Sequence, residues 1–166
     1  MQPNTEKNLQ DAFAGESQAH MKYMVFADRA EREGLANIAR LFRAASFSEQ
    51  IHATNHLKAL GVGKTAENLD AAFGGESYEI STMYPEFIAT AESEGEKRAR
   101  GSMSDAMEAE KVHAGLYARA KESLTGGGDM ATLAIFVCPV CGYTMEGEAP
   151  ERCPVCGTPS SKFVTF

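Results

Sequence analysis

The sequence predicts an all-α four-helix bundle over residues 1–125, a glycine-rich linker over 126–132 and a small metal-binding β module over 133–166. Three features carry that prediction. The stretch NLQDAFAGES, Asn8 to Ser17, returns as NLDAAFGGES, Asn68 to Ser77, with seven of ten positions identical. Apolar residues between Thr5 and Leu124 recur at three- and four-residue spacing, with Pro85 the single internal proline. All four cysteines fall between Cys138 and Cys156, in two C-x-x-C pairs.

The elements follow in order. Asn8, Leu9, Ala12, Phe13, Glu16, Ala19, Tyr23 and Phe26 share one face of a helix over about 4–33, which Gly34 ends. Ile38, Leu41, Phe42, Ala45, Glu49, His52, His56 and Leu60 do the same over about 35–61, up to Gly61-Val62-Gly63. Third and fourth helices are expected over about 66–95 and 97–124, with a break at Gly95. The duplication continues beyond the first stretch. Ala30-Glu31-Arg32-Glu33-Gly34 matches Ala91-Glu92-Ser93-Glu94-Gly95, and Glu49-Gln50-Ile51-His52 matches Glu110-Lys111-Val112-His113, both at an offset of 61. Two copies of one helix pair, related by a pseudo-twofold axis, make a four-helix bundle. Thr125-Gly126-Gly127-Gly128-Asp129 then supplies a flexible joint, and residues 133–137 and 162–166 read as strands.

Composition bounds the function. With 166 residues, 43% hydrophobic and 23% charged, the chain suits one domain plus a small appendage. A net charge of −7 argues against general affinity for nucleic acid or an anionic membrane, and suits cations instead. No apolar run reaches the roughly 20 residues of a membrane helix. Met1-Gln2-Pro3-Asn4-Thr5-Glu6 lacks a basic-then-apolar leader pattern, and a disulfide framework would spread its cysteines. The expected compartment is the cytoplasm.

Each half carries one inward glutamate, Glu16 or Glu76, and one E-x-x-H, Glu49/His52 or Glu110/His113. Residues three apart lie on one helix face, so each E-x-x-H aims a carboxylate and an imidazole at the same point. Two facing halves would bring four glutamates and two histidines to the bundle axis. Buried without counter-charge, such a cluster costs many kcal/mol or stays protonated. Two divalent cations bridged by carboxylates remove that cost, and this ligand mix suits iron or manganese. One E-x-x-H alone is more often a surface ion pair. Two copies, 33 and 34 residues behind the glutamate of a repeated Gly-Glu-Ser, favour a dimetal site.

The copies differ at one place. The offset grows from 60 at Ser17/Ser77 to 61 at Tyr23/Tyr84 and Phe26/Phe87, so one residue is inserted between Ser77 and Tyr84. An extra helical residue is usually absorbed as a wide turn. The expectation is a π-type bulge near Glu79 to Tyr84 that brings Glu79, matched by Ala19 in the first half, to a metal. Pro85, whose missing N–H distorts the turn before it, is the competing cause. Tyr23 and Tyr84 are equivalent in the repeat and stand one or two turns from Glu16 and Glu76, either hydrogen-bonding the metal-bound carboxylates or filling the core. His20 and His56 lack counterparts in the repeat and are expected at the surface or rim. Met21, Met24, Met83, Met103 and Met107 read as packing residues.

In the cysteine module, Cys138-Pro-Val-Cys141-Gly and Cys153-Pro-Val-Cys156-Gly form two thiolate knuckles. The glycine after each pair is expected to turn the backbone so that N–H groups face sulfur. Four thiolates in a tetrahedron fit one iron or one zinc. Iron makes the module a one-electron relay, and zinc makes it a docking or stabilising knob; a neighbouring redox-active metal pair favours iron.

Together, AFAGESQAHMKY, the two E-x-x-H pairs, GESYEISTMYPEF and CPVCGY…CPVCG resemble the rubrerythrin family over nearly the whole chain. The resemblance implies a ferritin-like diiron bundle followed by a rubredoxin-like domain. It implies iron ligands at Glu16, Glu49, His52, Glu76, Glu79, Glu110 and His113, with Glu49 and Glu110 bridging. It implies that Glu79 and His52 exchange on one iron, that Tyr23 and Tyr84 bond to the ligands, and that Cys138, Cys141, Cys153 and Cys156 hold a single iron. The activity it implies is reduction of hydrogen peroxide to water, with electrons from an external rubredoxin or NAD(P)H-dependent reductase. The resemblance also implies a homodimer, helix-swapped in some members. Two other functions fit the residues: a ferroxidase using dioxygen, and a non-catalytic metal-binding protein with a zinc ribbon.

Overall fold

The computed structural model describes residues 1–131 and 133–166, so the end of the expected linker, Thr132, lies outside the described residues. The chain divides into two compact units, Met1–Val62 and Gly63–Phe166.

The first unit is a helical hairpin of α1, Pro3–Arg32, and α2, Ala36–Leu60. Cross-helix pairs run Glu31 with Arg43, His20 with Ser46 and Glu16 with His52, so the helices are antiparallel. The residues buried along the seam are small: Ala27, Ala30, Ala39, Ser46 and Ala53. Small side chains let two backbones approach closely, and Ser46 uses that proximity. Its Oγ lies 2.9 Å from both the His20 carbonyl and His20 Nδ1, and His20 Nδ1 lies 2.9 Å from the Ser46 carbonyl. His20, expected at the surface or rim, is instead half-buried and ties the two helices together; His56 is also half-buried.

Two of the three expected glycine breaks, Gly34 and Gly95, are helix terminators of one design. Gly34 has φ +77° and lets the Leu35 N–H reach the Ala30 carbonyl at 2.9 Å; Gly95 has φ +76° and lets the Glu96 N–H reach Ala91 at 2.8 Å. This six-to-one bond needs a left-handed residue, which glycine adopts without steric cost.

The second unit opens with α3, Thr65–Tyr78, passes through a π turn, Glu79–Met83, and resumes as α4, Tyr84–Ser93. The Tyr84 N–H donates to the Glu79 carbonyl, five residues back. The wide turn falls where the repeat offset changes, so the inserted residue is the π turn. Pro85 stands directly behind it and reinforces the break, but a proline adds no residue to the count. After Gly95 comes α5, Lys97–Thr125.

Three short strands follow: β1, Ile135–Val137; β2, Thr144–Glu146; and β3, Val164–Thr165, in the antiparallel order β2-β1-β3. Phe136 pairs with both Met145 and Thr165. Strands β1 and β3 lie within the expected stretches. Among the described residues no helix is long and apolar enough to cross a membrane.

Because the α1–α2 seam closes over alanines, Ala39→Leu should destabilise the protein by about 1–3 kcal/mol through overpacking, measured as a lower urea midpoint at unchanged slope.

Candidate metal centres

Each unit holds one triad built the same way. In the first, Glu16 comes from α1 and Glu49 and His52 from successive turns of α2, with His52 Nδ1 2.9 Å from Glu49 Oε2 and 3.9 Å from Glu16 Oε1. In the second, Glu76 comes from α3 and Glu110 and His113 from α5, with His113 Nδ1 2.6 Å from Glu110 Oε2 and 3.8 Å from Glu76 Oε1. Within each triad one donor atom per residue lies within 4.8 Å of the others. The Nδ1 atoms and carboxylate oxygens converge as ligands of one cation would, and the mixed imidazole and carboxylate set suits iron.

The first triad is the more open. His52 is 50% exposed against 30% for His113, and Glu76 and Glu110 are largely enclosed. Burial, a hydrogen bond with Glu110 and the charges of Glu110 and Glu79 push Glu76 from 4.5 up to about 7. A carboxylate raised that far is holding a proton where a cation fits. Glu79, on the π turn, stands beside this cluster but outside the triad. Burial and Glu110 raise its pKa while His113 opposes the rise. Tyr84 is raised by burial and then by Glu79, Glu110 and Glu76, so its phenol faces the same carboxylates. Tyr23, its counterpart in the repeat, packs in an aromatic cluster, its ring 6.2 Å from Phe26 and 6.1 Å from Phe42.

The cysteine site is similarly preformed. Cys138 and Cys156 lie 3.5 Å apart at sulfur, as do Cys141 and Cys153, and all four sulfurs lie within 4.8 Å of one another. A tetrahedron of bonds of about 2.3 Å spaces sulfurs by about 3.8 Å, so one metal ion fits. The knuckles are copies: Cys138 N–H bonds to the Tyr143 carbonyl and Cys153 N–H to the Thr158 carbonyl. Gly142 at φ +79° and Gly157 at φ +75° turn the chain as expected: their own N–H groups close onto the Cys138 and Cys153 carbonyls, and the Tyr143 and Thr158 N–H groups that follow face the Cys141 and Cys156 sulfurs. The sulfurs are not equivalent. The Thr158 hydroxyl, 3.1 Å from Cys156 Sγ, and its N–H lower the Cys156 thiol to about 6, whereas burial pushes Cys141 up.

Residues 7–121 match the rubrerythrin family model, and residues 136–164 match the model of the rubrerythrin rubredoxin-like domain. The chain belongs to the rubrerythrin family. It is 39% identical to rubrerythrin-2 of Clostridium acetobutylicum over 95% of this chain and 94% of that one. It is 36% identical to nigerythrin of Nitratidesulfovibrio vulgaris over 98% of this chain and 87% of that one. A solved structure of fully reduced, all-ferrous nigerythrin, 36% identical, superposes at a TM-score of 0.56 over 98% of this chain and 86% of that one. The fold class is therefore the family's, a ferritin-like helical bundle with a rubredoxin-like β module. The cofactors are a diiron centre, matched by one triad in each unit, and a metal held by the four cysteines.

Two contacts escaped the sequence reading, because neither Thr144 nor Thr158 belongs to a metal-ligand motif. Thr144 on β2 touches a triad histidine, and Thr158 touches Cys156. For Thr158 a signal existed, since it stands two residues after a cysteine at a knuckle turn. For Thr144 there was none.

The raised Glu76 sets a pH dependence for metal-free protein. The folded chain binds a proton that the unfolded chain releases between about pH 4.5 and 7. That stabilisation is complete below about pH 4.5 and is lost as pH rises through about 7. The melting temperature of stripped protein should therefore fall from pH ~5 to ~8, and ferrous iron or Glu76→Gln should flatten the slope in calorimetry.

Proposed function

We propose that the protein is a non-haem diiron peroxidase that reduces hydrogen peroxide to water in the cytoplasm. It works as a homodimer and receives electrons through its cysteine-bound iron from rubredoxin or an NAD(P)H-dependent reductase. The observation that carries this reading is the extra carboxylate, Glu79, which the π turn sets beside Glu76, Glu110 and His113 and which has only an alanine, Ala19, at its place in the other repeat.

Reducing one peroxide to two waters consumes two electrons and two protons. The iron pair, when bound, supplies both electrons at once and the Lewis acidity that polarises the O–O bond. The protons are the task of the side chains. Glu79 holds its proton more tightly than an ordinary carboxylate, because burial and Glu110 disfavour its charge. It can therefore carry a proton to a departing oxygen and regain it from solvent. We also assign Glu79 as a seventh ligand of the diiron centre. Tyr84 stays protonated near the same carboxylates, and we assign its phenol to orient them by a hydrogen bond when the metals are bound. Tyr23 has the matching role by its place in the repeat. His52, half-exposed and held by little beyond its triad, is the ligand with freedom to move.

Anaerobically reduced protein mixed with peroxide or with dioxygen in a stopped-flow instrument tests the activity. Oxidation should be faster with peroxide, whereas faster oxidation by dioxygen would make the protein a ferroxidase. Glu79→Ala should slow the peroxide reaction by about 10²-fold or more, while the visible spectrum of the cysteine-bound iron stays unchanged. A colourless, non-reducible cysteine site would leave only a zinc ribbon.

A further inference from the structure

The two triads match in their inner geometry and differ at the outer nitrogen of each histidine. His52 Nε2 faces Ser48 Oγ, one turn earlier on its own helix, at 3.5 Å. That is the outer limit of a hydrogen bond. His113 Nε2 lies 2.8 Å from Oγ1 of Thr144, 31 residues on and in β2 of the cysteine module. Thr144 is 5% exposed, so this contact is sheltered from water. Arg119, on the same helix as His113, pairs with Glu146, on the same side of β2 as Thr144, so the strand is fixed along α5 at two points.

The proton on that contact can be assigned. Thr144 Oγ1 also lies 3.1 Å from the Gly142 carbonyl, which can only accept. A hydroxyl has one proton to give. With a cation on Nδ1 the ring hydrogen stands on Nε2, and Oγ1, its own proton directed to Gly142, has a lone pair to accept it. Of the two neutral imidazole tautomers this contact suits the one whose Nδ1 lone pair is free, and Nδ1 is the nitrogen that faces Glu110 and Glu76.

We propose that Thr144 is a positioning residue for the diiron centre. Its hydroxyl, oriented by the Gly142 carbonyl, fixes the tautomer and ring orientation of His113, so the cysteine module locks this ligand while its repeat counterpart His52 stays free to turn. The proposal rests on His113 being a metal ligand.

The test uses full-length wild-type protein, Thr144→Val, Thr144→Ser and Ser48→Ala, with zinc as a diamagnetic probe in all sites. Long-range proton–nitrogen NMR should show His113 with metal on Nδ1 and a slowly exchanging proton on Nε2. Thr144→Val should lose that protection and weaken one carboxylate-site zinc by about 10- to 100-fold. Thr144→Ser should restore both, and Ser48→Ala should change neither beyond about twofold. Unchanged zinc affinity and exchange in Thr144→Val, or no rescue by serine, overturns the proposal. If Thr144→Val does not fold, the wild-type spectrum decides, and a His113 Nε2 proton exchanging as fast as that of His52 overturns it. Wild-type protein that takes up zinc only at its cysteines would sink the reading of His113 as a ligand instead.

Discussion

The structure depends on charge held close to charge. Each unit sets two carboxylates and an imidazole within a few ångströms of one another on neighbouring helices, a placement that opposes folding unless something positive or protonic stands among them. Glu76 shows the unrelieved state, because it keeps a proton up to about pH 7. A divalent cation does the same work more strongly, since it interacts with all three ligands at once. Metal binding is thus part of how this helical protein tolerates its own ligands.

The duplication supplies two such triads, and the departures from symmetry make them different. The π turn inserts one residue into α3–α4 and with it a carboxylate, Glu79, that α1 lacks. Helix α5 carries a module that touches His113, whereas α2 offers His52 only a distant serine. Both departures act on the second triad, which is also the better enclosed. One triad is therefore enclosed and flanked by a further carboxylate, and the other is more open. A reaction that changes the charge at a metal pair needs one anchored ligand set and one that can adjust.

How much of this was legible in the sequence follows from how local each cause is. The i, i+3 spacing of Glu49/His52 and Glu110/His113 is helix geometry, so each pair could be read with no knowledge of the fold. Glu16 and Glu76 were legible through the repeat, and the π turn through a shift of one in its offset. The Ser46–His20 and Thr144–His113 contacts join residues 26 and 31 apart through packing of otherwise unrelated elements, and no motif announces them. Strand β2 is only three residues, Thr-Met-Glu, too short for its alternation to stand out, and it exists because β1 offers it an edge. The glycines at Gly142 and Gly157 were legible as turns that aim backbone N–H groups at sulfur, because a positive φ after a C-x-x-C pair is a local requirement, and the Tyr143 and Thr158 N–H groups meet it.

Helix α5 joins these threads. Within one stretch it carries Glu110 and His113 for the metal and Arg119 for β2, while His113 itself is held from its other side by Thr144. An α-helix is stiff over so short a length, so the two contacts to β2, at His113 and at Arg119, share one frame. Thr144 and the second cysteine of the first knuckle, Cys141, are separated only by Gly142 and Tyr143, and the Thr144 hydroxyl bonds to the Gly142 carbonyl. The cysteine site and the carboxylate cluster of this unit are therefore joined by a short run of covalent and hydrogen bonds. The proposed hold of Thr144 on His113 thus begins at the first cysteine knuckle.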